Sequence, residues 1–237
     1  MAQSLGEKYI VEHAMHTIDG AFASGAFGVV YTGRRRSDNS PVAIKFSKCG
    51  DGPRAGKPWR DLFSEPEQRP LLLEEPLVHR AASALGHPGI CALHDVYEED
   101  IALPELSAQH FDRPGRTHRL VLVLDLLTGH DLYDVLAGGM RPPPVLAPLA
   151  GEAPRSRPFN EVDKRNMFAQ IAGAVAALHA AGIVHRDIKP HNIVMKAPPA
   201  PGATPSLALI DLCVWAPVRC SAAARAPSGP GPLRAHL

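Results

Sequence analysis

Cysteine is scarce: Cys49, Cys91, Cys213 and Cys220 are scattered over 237 residues, with no C-x-x-C pair and no nearby histidines at zinc spacing. That speaks against a disulfide framework or a structural zinc site and for isolated buried or surface thiols in a reducing compartment. Excess charge is also lacking. With 25 basic and 24 acidic residues the formal charge is +1, so nothing favours nucleic acid or an anionic membrane as a partner. Long apolar runs are missing as well. The longest, Leu120 to Leu127, is interrupted by Asp125 and is far too short to cross a bilayer. Residues Met1 to Lys8 have no apolar signal-peptide core. Together these absences predict a soluble intracellular protein, most simply a cytoplasmic one, with neither nucleic acid nor membrane as partner.

Proline, by contrast, is abundant, at about twice the usual ~5%. Of its 24 prolines, 14 fall in 137–158 and 197–237, which marks those segments as insert or tail rather than core. Residues 214–237 hold no acid, three arginines and many Ala, Pro and Gly; this composition predicts a disordered tail.

The chain is organised around His185-Arg186-Asp187-Ile188-Lys189-Pro190-His191-Asn192, entered by Ile183-Val184 and left by Ile193-Val194. A carboxylate, an ammonium and a carboxamide within one loop are what phosphoryl transfer asks for: a proton acceptor, a cation for phosphate charge and an oxygen ligand for magnesium. A polar turn bent by Pro190 is the plain alternative. The run resembles the catalytic loop of eukaryotic protein kinases, H-R-D-x-K-P-x-N. That resemblance implies Asp187 as catalytic base, Asn192 as a magnesium ligand and, through Lys189, the serine/threonine form of the loop.

Other stretches extend the resemblance. Ser24-Gly25-Ala26-Phe27-Gly28-Val29-Val30 reads as a strand, a tight turn and a returning strand. It is similar to the kinase glycine-rich loop with Gly25 and Gly28 present and Ala23 where the family has its first glycine. Arg34-Arg35-Arg36 before Ser37-Asp38-Asn39 reads as a solvated hairpin tip. Pro41 to Phe46 is a strand by β-branched content, and its period of two puts Ala43 and Lys45 on one face. By resemblance Ala43 and Val30 cover the adenine of ATP and Lys45 holds its α/β-phosphates. Residues 49–70 read as loop. A helix is predicted from Pro76 onward, proline being tolerated in a first turn; the resemblance implies Glu75, or alternatively Glu74, as partner of Lys45.

Ile90 to Val96 and Arg119 to Leu124 read as strands. The second leads into a stretch similar to the kinase hinge, which implies Leu124 as gatekeeper, the backbone of Asp125 and Leu127 on the adenine, and Asp131 near the ribose. Residue composition adds an Asp-capped helix after Gly129. Asn160 is the predicted cap of an amphipathic helix whose core stripe is Phe168, Ile171, Val175 and Leu178, ending at Gly182. Leu207 to Asp211 is a short apolar strand ending in a carboxylate. Asp211-Leu212-Cys213 stands where the family has Asp-Phe-Gly, which implies Asp211 as a second magnesium ligand, Leu212 in an apolar slot and less backbone freedom at Cys213.

The resemblance runs from Tyr9 to Asp211 and implies an α+β fold of two lobes. A small antiparallel sheet lobe with one helix would span 9–124. A partial large lobe with hinge and catalytic loop would span 125–213, carrying the insert at 137–158. The implied activity is Mg²⁺-dependent transfer of the ATP γ-phosphoryl group to a protein serine or threonine, impaired by the incomplete large lobe. Two other readings stand beside it. One is an ATP-binding pseudokinase or scaffold, suggested by Ala23 and Cys213. The other is a small-molecule kinase, which Arg186 and Lys189-Pro190 speak against.

Overall fold

The computed structural model describes residues 4–14, 24–25, 28–47, 69–101, 117–136, 159–200 and 202–212. In the first half, strands β1 (Tyr9–Ala14), β2 (Ser24–Gly25), β3 (Gly28–Arg35), β4 (Pro41–Ser47), β5 (Leu93–Ile101) and β6 (Thr117–Asp125) form one antiparallel sheet. Its order is β1-β3-β4-β6-β5, with β2 pairing the start of β3. The alternation in β4 explains the layering. Val42, Ile44 and Phe46 pack with Leu5, Tyr9, Val29, Tyr31, Val121 and Val123 on one face. The Tyr31 and Phe46 rings meet edge-on, with centroids 5.3 Å apart. Ala43 and Lys45 therefore face the other way, in register with Leu124 and Leu122. The turn after β3 carries Ser37-Asp38-Asn39, with Asn39 in the left-handed region, a conformation that asparagine tolerates better than most residues.

A short helix, α1 (Leu5–Lys8), begins at a capping box of Ser4 and Glu7. Lys8 and the Tyr9 hydroxyl both donate to Asp95, tying this segment to β5. Helix α2 covers Arg69–Ser83, so it starts seven residues before the predicted position. Pro70 takes the first-turn place, where the missing N–H costs nothing. Pro76 lies inside the helix, where it removes one i→i−4 bond.

The second half is built on α3 (Leu132–Leu136), α4 (Glu161–Ala180), a 3-10 turn (Pro190–Asn192) and a hairpin of β7 (Ile193–Met195) with β8 (Leu207–Leu209). Asn160 caps α4 through a reciprocal box with Asp163. The helix stops as Gly182 turns left-handed and Ile183 N donates back to Leu178. The predicted stripe holds at Ile171, Val175 and Leu178 and is corrected at Phe168. Phe168 is 73% exposed, whereas Met167, Ala174 and Leu178 are buried and Ile171 and Val175 partly so. The core accepts Ala174 because Gly89 approaches it: a Cβ on Gly89 would lie 2.9 Å from that of Ala174. Ile90, predicted to open a strand, instead bridges Leu209 in parallel, and β5 starts at Leu93. Among the described residues no helix is long and apolar enough to cross a membrane.

Candidate active site

The site lies where β4, the 185–192 loop and the end of β8 converge. Ile183 to Asp187 is neither helix nor strand, and Arg186 adopts a left-handed φ of 65°. For a non-glycine residue that conformation costs on the order of 1–2 kcal/mol. It separates the fates of its neighbours. His185 is buried at 1% exposure, while the Asp187 side chain is about half exposed. His185 Nε2 lies 2.9 Å from the Ile210 carbonyl, and burial lowers the imidazole pKa. A neutral ring with Nε2–H donating to that carbonyl satisfies both observations. It fastens the 185–192 loop to the segment that carries Asp211. Ile210 N donates to the Asn192 carbonyl, a second fastening.

Asp187, Lys189 and Asn192 form one network. Lys189 Nζ donates to Asp187 Oδ2 at 2.7 Å, and Asn192 Nδ2 donates to the same oxygen at 2.9 Å and to the Asp187 carbonyl at 2.8 Å. The Lys189 hydrogen bond, ahead of a smaller opposing effect of burial, holds the Asp187 carboxyl below its ordinary range. The group is an ionised, oriented acceptor at neutral pH.

Asp211 also sits at a left-handed φ, 54°, and its Oδ1 receives Lys45 Nζ at 2.9 Å. Burial pushes this carboxyl upward, but the charge and hydrogen bond of Lys45, with His79 and Lys189, outweigh it and leave the pKa lowered. Leu212 next to it is buried at 1% exposure. Cys213 lies outside the described residues, as do Cys49, Cys220 and Ala23.

Val30 is in register with Lys45 across the hairpin, and Ala43 is buried on the Lys45 face. Gly25 and Gly28 pair where β2 meets β3. Glu74 and Glu75 fall within α2, but their side chains lie outside the described residues. His79, one turn further along α2, reaches the Cys91 carbonyl with Nε2 at 2.9 Å. Burial pushes the Cys91 thiol up to about 12, which keeps it protonated and inert.

The segment after β6 is pinned at both ends. Asp125 N donates to the Ala92 carbonyl, and the Asp125 carboxylate receives Ala92 N at 3.1 Å and His94 at 2.8 Å. Beyond it, Thr128 N and Gly129 N donate to the carbonyls of Lys196 and Met195. Gly129 is required there, since a Cβ would lie 2.6 Å from the Met195 carbonyl oxygen. Between the pins, no backbone hydrogen bond among the described residues engages Leu126 or Leu127. Asp131 does not project free: its Oδ1 accepts from Asp134 N at 2.8 Å and caps α3.

The donor set suits a magnesium ion held partly by phosphate. Mg²⁺ takes hard oxygen ligands and commonly only one or two from protein. The Asp211 carboxylate offers one. Asn192 spends its amide nitrogen on Asp187, which leaves its carboxamide oxygen as the other. Sequence alone does not single out His185, His79 or His94 as supporting residues. Each acts through a partner from another segment, and the head position of His185 in the 185–192 run was the one local signal.

Comparison with known proteins agrees with this geometry. The family described as protein kinase domain matches residues 18–213. Myosin light chain kinase A of Dictyostelium discoideum is 28% identical over 173 residues, covering 73% of this chain and 42% of that protein. Serine/threonine-protein kinase PkaB of Streptomyces coelicolor is 29% identical over 216 residues, covering 90% and 38%. Human calcium/calmodulin-dependent protein kinase type 1B is 27% identical over 189 residues, covering 78% and 39%. The chain spans about two-fifths of the length of these relatives. With the family pattern matched over most of its length, the chain belongs to the protein kinase family.

Proposed function

We propose that this protein binds ATP with Mg²⁺ and transfers the γ-phosphoryl group to a serine or threonine hydroxyl of a protein substrate. The observation that carries the reading is the Asp187 carboxylate held by Lys189 and Asn192 while Asp211, joined to the same loop, holds Lys45. In this reading Asp187 accepts the proton of the substrate hydroxyl as its oxygen bonds to the γ-phosphorus and the bond to the β-phosphate oxygen breaks, releasing ADP. Lys189 stabilises charge on the transferring group. Lys45 meets the α/β-phosphates, with Glu75 or Glu74 as its helix partner. Gly25 and Gly28 close over the phosphates. Val30 and Ala43 cover the adenine, whose edge meets the backbone of Asp125 and Leu127, and Asp131 stands near the ribose. Asn192 and Asp211 hold the magnesium, which when bound neutralises phosphate charge.

A second reading, ATP binding without transfer, rests on Ala23 and Cys213 standing where the family carries glycine. One experiment separates the roles. ATP affinity is measured with and without Mg²⁺ for the wild type, Asp187→Asn and Asp211→Asn. Asp187→Asn is expected to bind like the wild type yet lose transfer, because its role belongs to the transition state. Asp211→Asn is expected to lose the Mg²⁺-dependent part of binding. The same binding defect in both variants contradicts the assignment, and normal binding without transfer in the wild type favours the second reading.

A further inference from the structure

The backbone of Leu126 and Leu127, which no backbone hydrogen bond among the described residues engages, is held between two pins of different kinds. The far pin, Thr128 and Gly129 on Lys196 and Met195, is made chiefly by main chain in the close approach that Gly129 permits, with the Thr128 hydroxyl adding a 3.4 Å bond to the Lys196 carbonyl. The near pin depends on a side chain. Asp125 exchanges bonds with Ala92 in both directions, N–H to carbonyl and carboxylate to N–H. The second carboxylate oxygen is taken by His94 Nε2 at 2.8 Å. A carboxylate that caps a single backbone N–H can rotate away; one also bonded through its other oxygen to an imidazole on β5 is fixed in orientation. Hydrogen bonding to His94, opposed by burial, keeps that carboxyl ionised below its usual range.

We propose that His94 is a positioning residue for the nucleobase. By orienting the Asp125 carboxylate it fixes where the Asp125 carbonyl and the Leu127 backbone stand, and so sets affinity for the adenine edge without touching the nucleotide. This rests on the ATP-binding reading given above. The Asp125–His94 pair is partly solvent-exposed, so its loss is moderate, because exposed pairs contribute little.

The test compares three probes by competition binding to the full chain: ATP, adenosine and inorganic tripolyphosphate. His94→Ala is expected to weaken ATP and adenosine by about threefold to fivefold, with tripolyphosphate unchanged, and to raise KM for ATP without changing kcat. Glutamine places an amide N–H close to where Nε2 stood, so His94→Gln is expected to restore adenosine affinity. Equal weakening of all three probes would mark His94 as merely structural and overturn the proposal, as would unchanged adenosine affinity in His94→Ala or no recovery in His94→Gln. Tripolyphosphate binding without adenosine binding in the wild type overturns the base-edge role while leaving the phosphate site. A wild type that binds none of the probes overturns the nucleotide reading itself, and the role of His94 with it.

Discussion

Lys45→Met probes the link between the sheet and the segment that carries Asp211. Methionine keeps most of the apolar stem volume, so the cavity contribution is small. What is lost is the cation 2.9 Å from Asp211. The Lys45 side chain is 11% exposed and that of Asp211 36%. Breaking a fully buried pair costs ~3–5 kcal/mol, whereas exposed pairs are worth ~0.2–1. With one partner this wet, the discounted expectation is ~1–2 kcal/mol at pH 7.

The pH dependence is more telling than the size. The Asp211 carboxyl is lowered in the folded protein because Lys45, with His79 and Lys189, outweighs burial. Its contribution is therefore fully present above the unfolded carboxyl value, ~3.9, and is lost as pH falls through the lower folded value. In Lys45→Met burial opposes fewer cations, so the Asp211 carboxyl rises and the variant forfeits that contribution. The stability gap between wild type and variant should begin to close below about pH 5 and shrink steadily toward pH 3. Urea unfolding at a series of pH values reads the gap directly, and the same series in an Asp211→Asn background should show less closure. A gap that stays constant from pH 7 to the acid limit, or that closes equally in the Asp211→Asn background, would refute the electrostatic account.

Three other outcomes can be checked by unfolding. Gly129→Ala drives a Cβ against Met195 backbone atoms, which cannot yield like a flexible side chain, so a loss of roughly 1–3 kcal/mol is expected; no loss would mean the segment is not fixed there. Met167→Ala should cost ~2–5 kcal/mol and the neighbouring Phe168→Ala within ~0.5; the reverse order would restore the stripe predicted from sequence. His185 has a folded pKa below its ordinary value because it is buried, so its contribution is complete above ~6.5 and declines as pH falls from there toward the folded value. His185→Gln should remove that decline in a pH series of urea midpoints, and an unchanged slope would place the titration elsewhere.

Local patterns were legible wherever one element decides the outcome. The alternation in Pro41–Ser47 separates Ala43 and Lys45 from Val42, Ile44 and Phe46 without reference to anything else, because a strand has only two faces. Asn160 and Gly182 mark the ends of α4 for the same reason. The edge of its buried face was less legible. A spacing of three and four admits Phe168 to the stripe, but the buried side carries Met167 and Ala174, and the smallness of Ala174 matters because Gly89 packs there. Pro76 suggested a helix start because the earlier Pro70 offers the same signal inside a stretch that read as loop. Contacts across long separations were legible only through resemblance. Nothing local in Lys45 announces Asp211, 166 residues later, and nothing in His94 announces Asp125.

The central claim is that Asp187 serves phosphoryl transfer. The direct measurement is Mg²⁺-dependent transfer of labelled γ-phosphate from ATP to a mixture of protein substrates, followed by phosphoamino-acid analysis, with wild type and Asp187→Asn at equal ATP occupancy. The account predicts labelled serine or threonine with the wild type and at least a ~100-fold loss in Asp187→Asn. Transfer that survives Asp187→Asn, or a wild type that binds Mg²⁺ and ATP yet labels no hydroxyl, would contradict it.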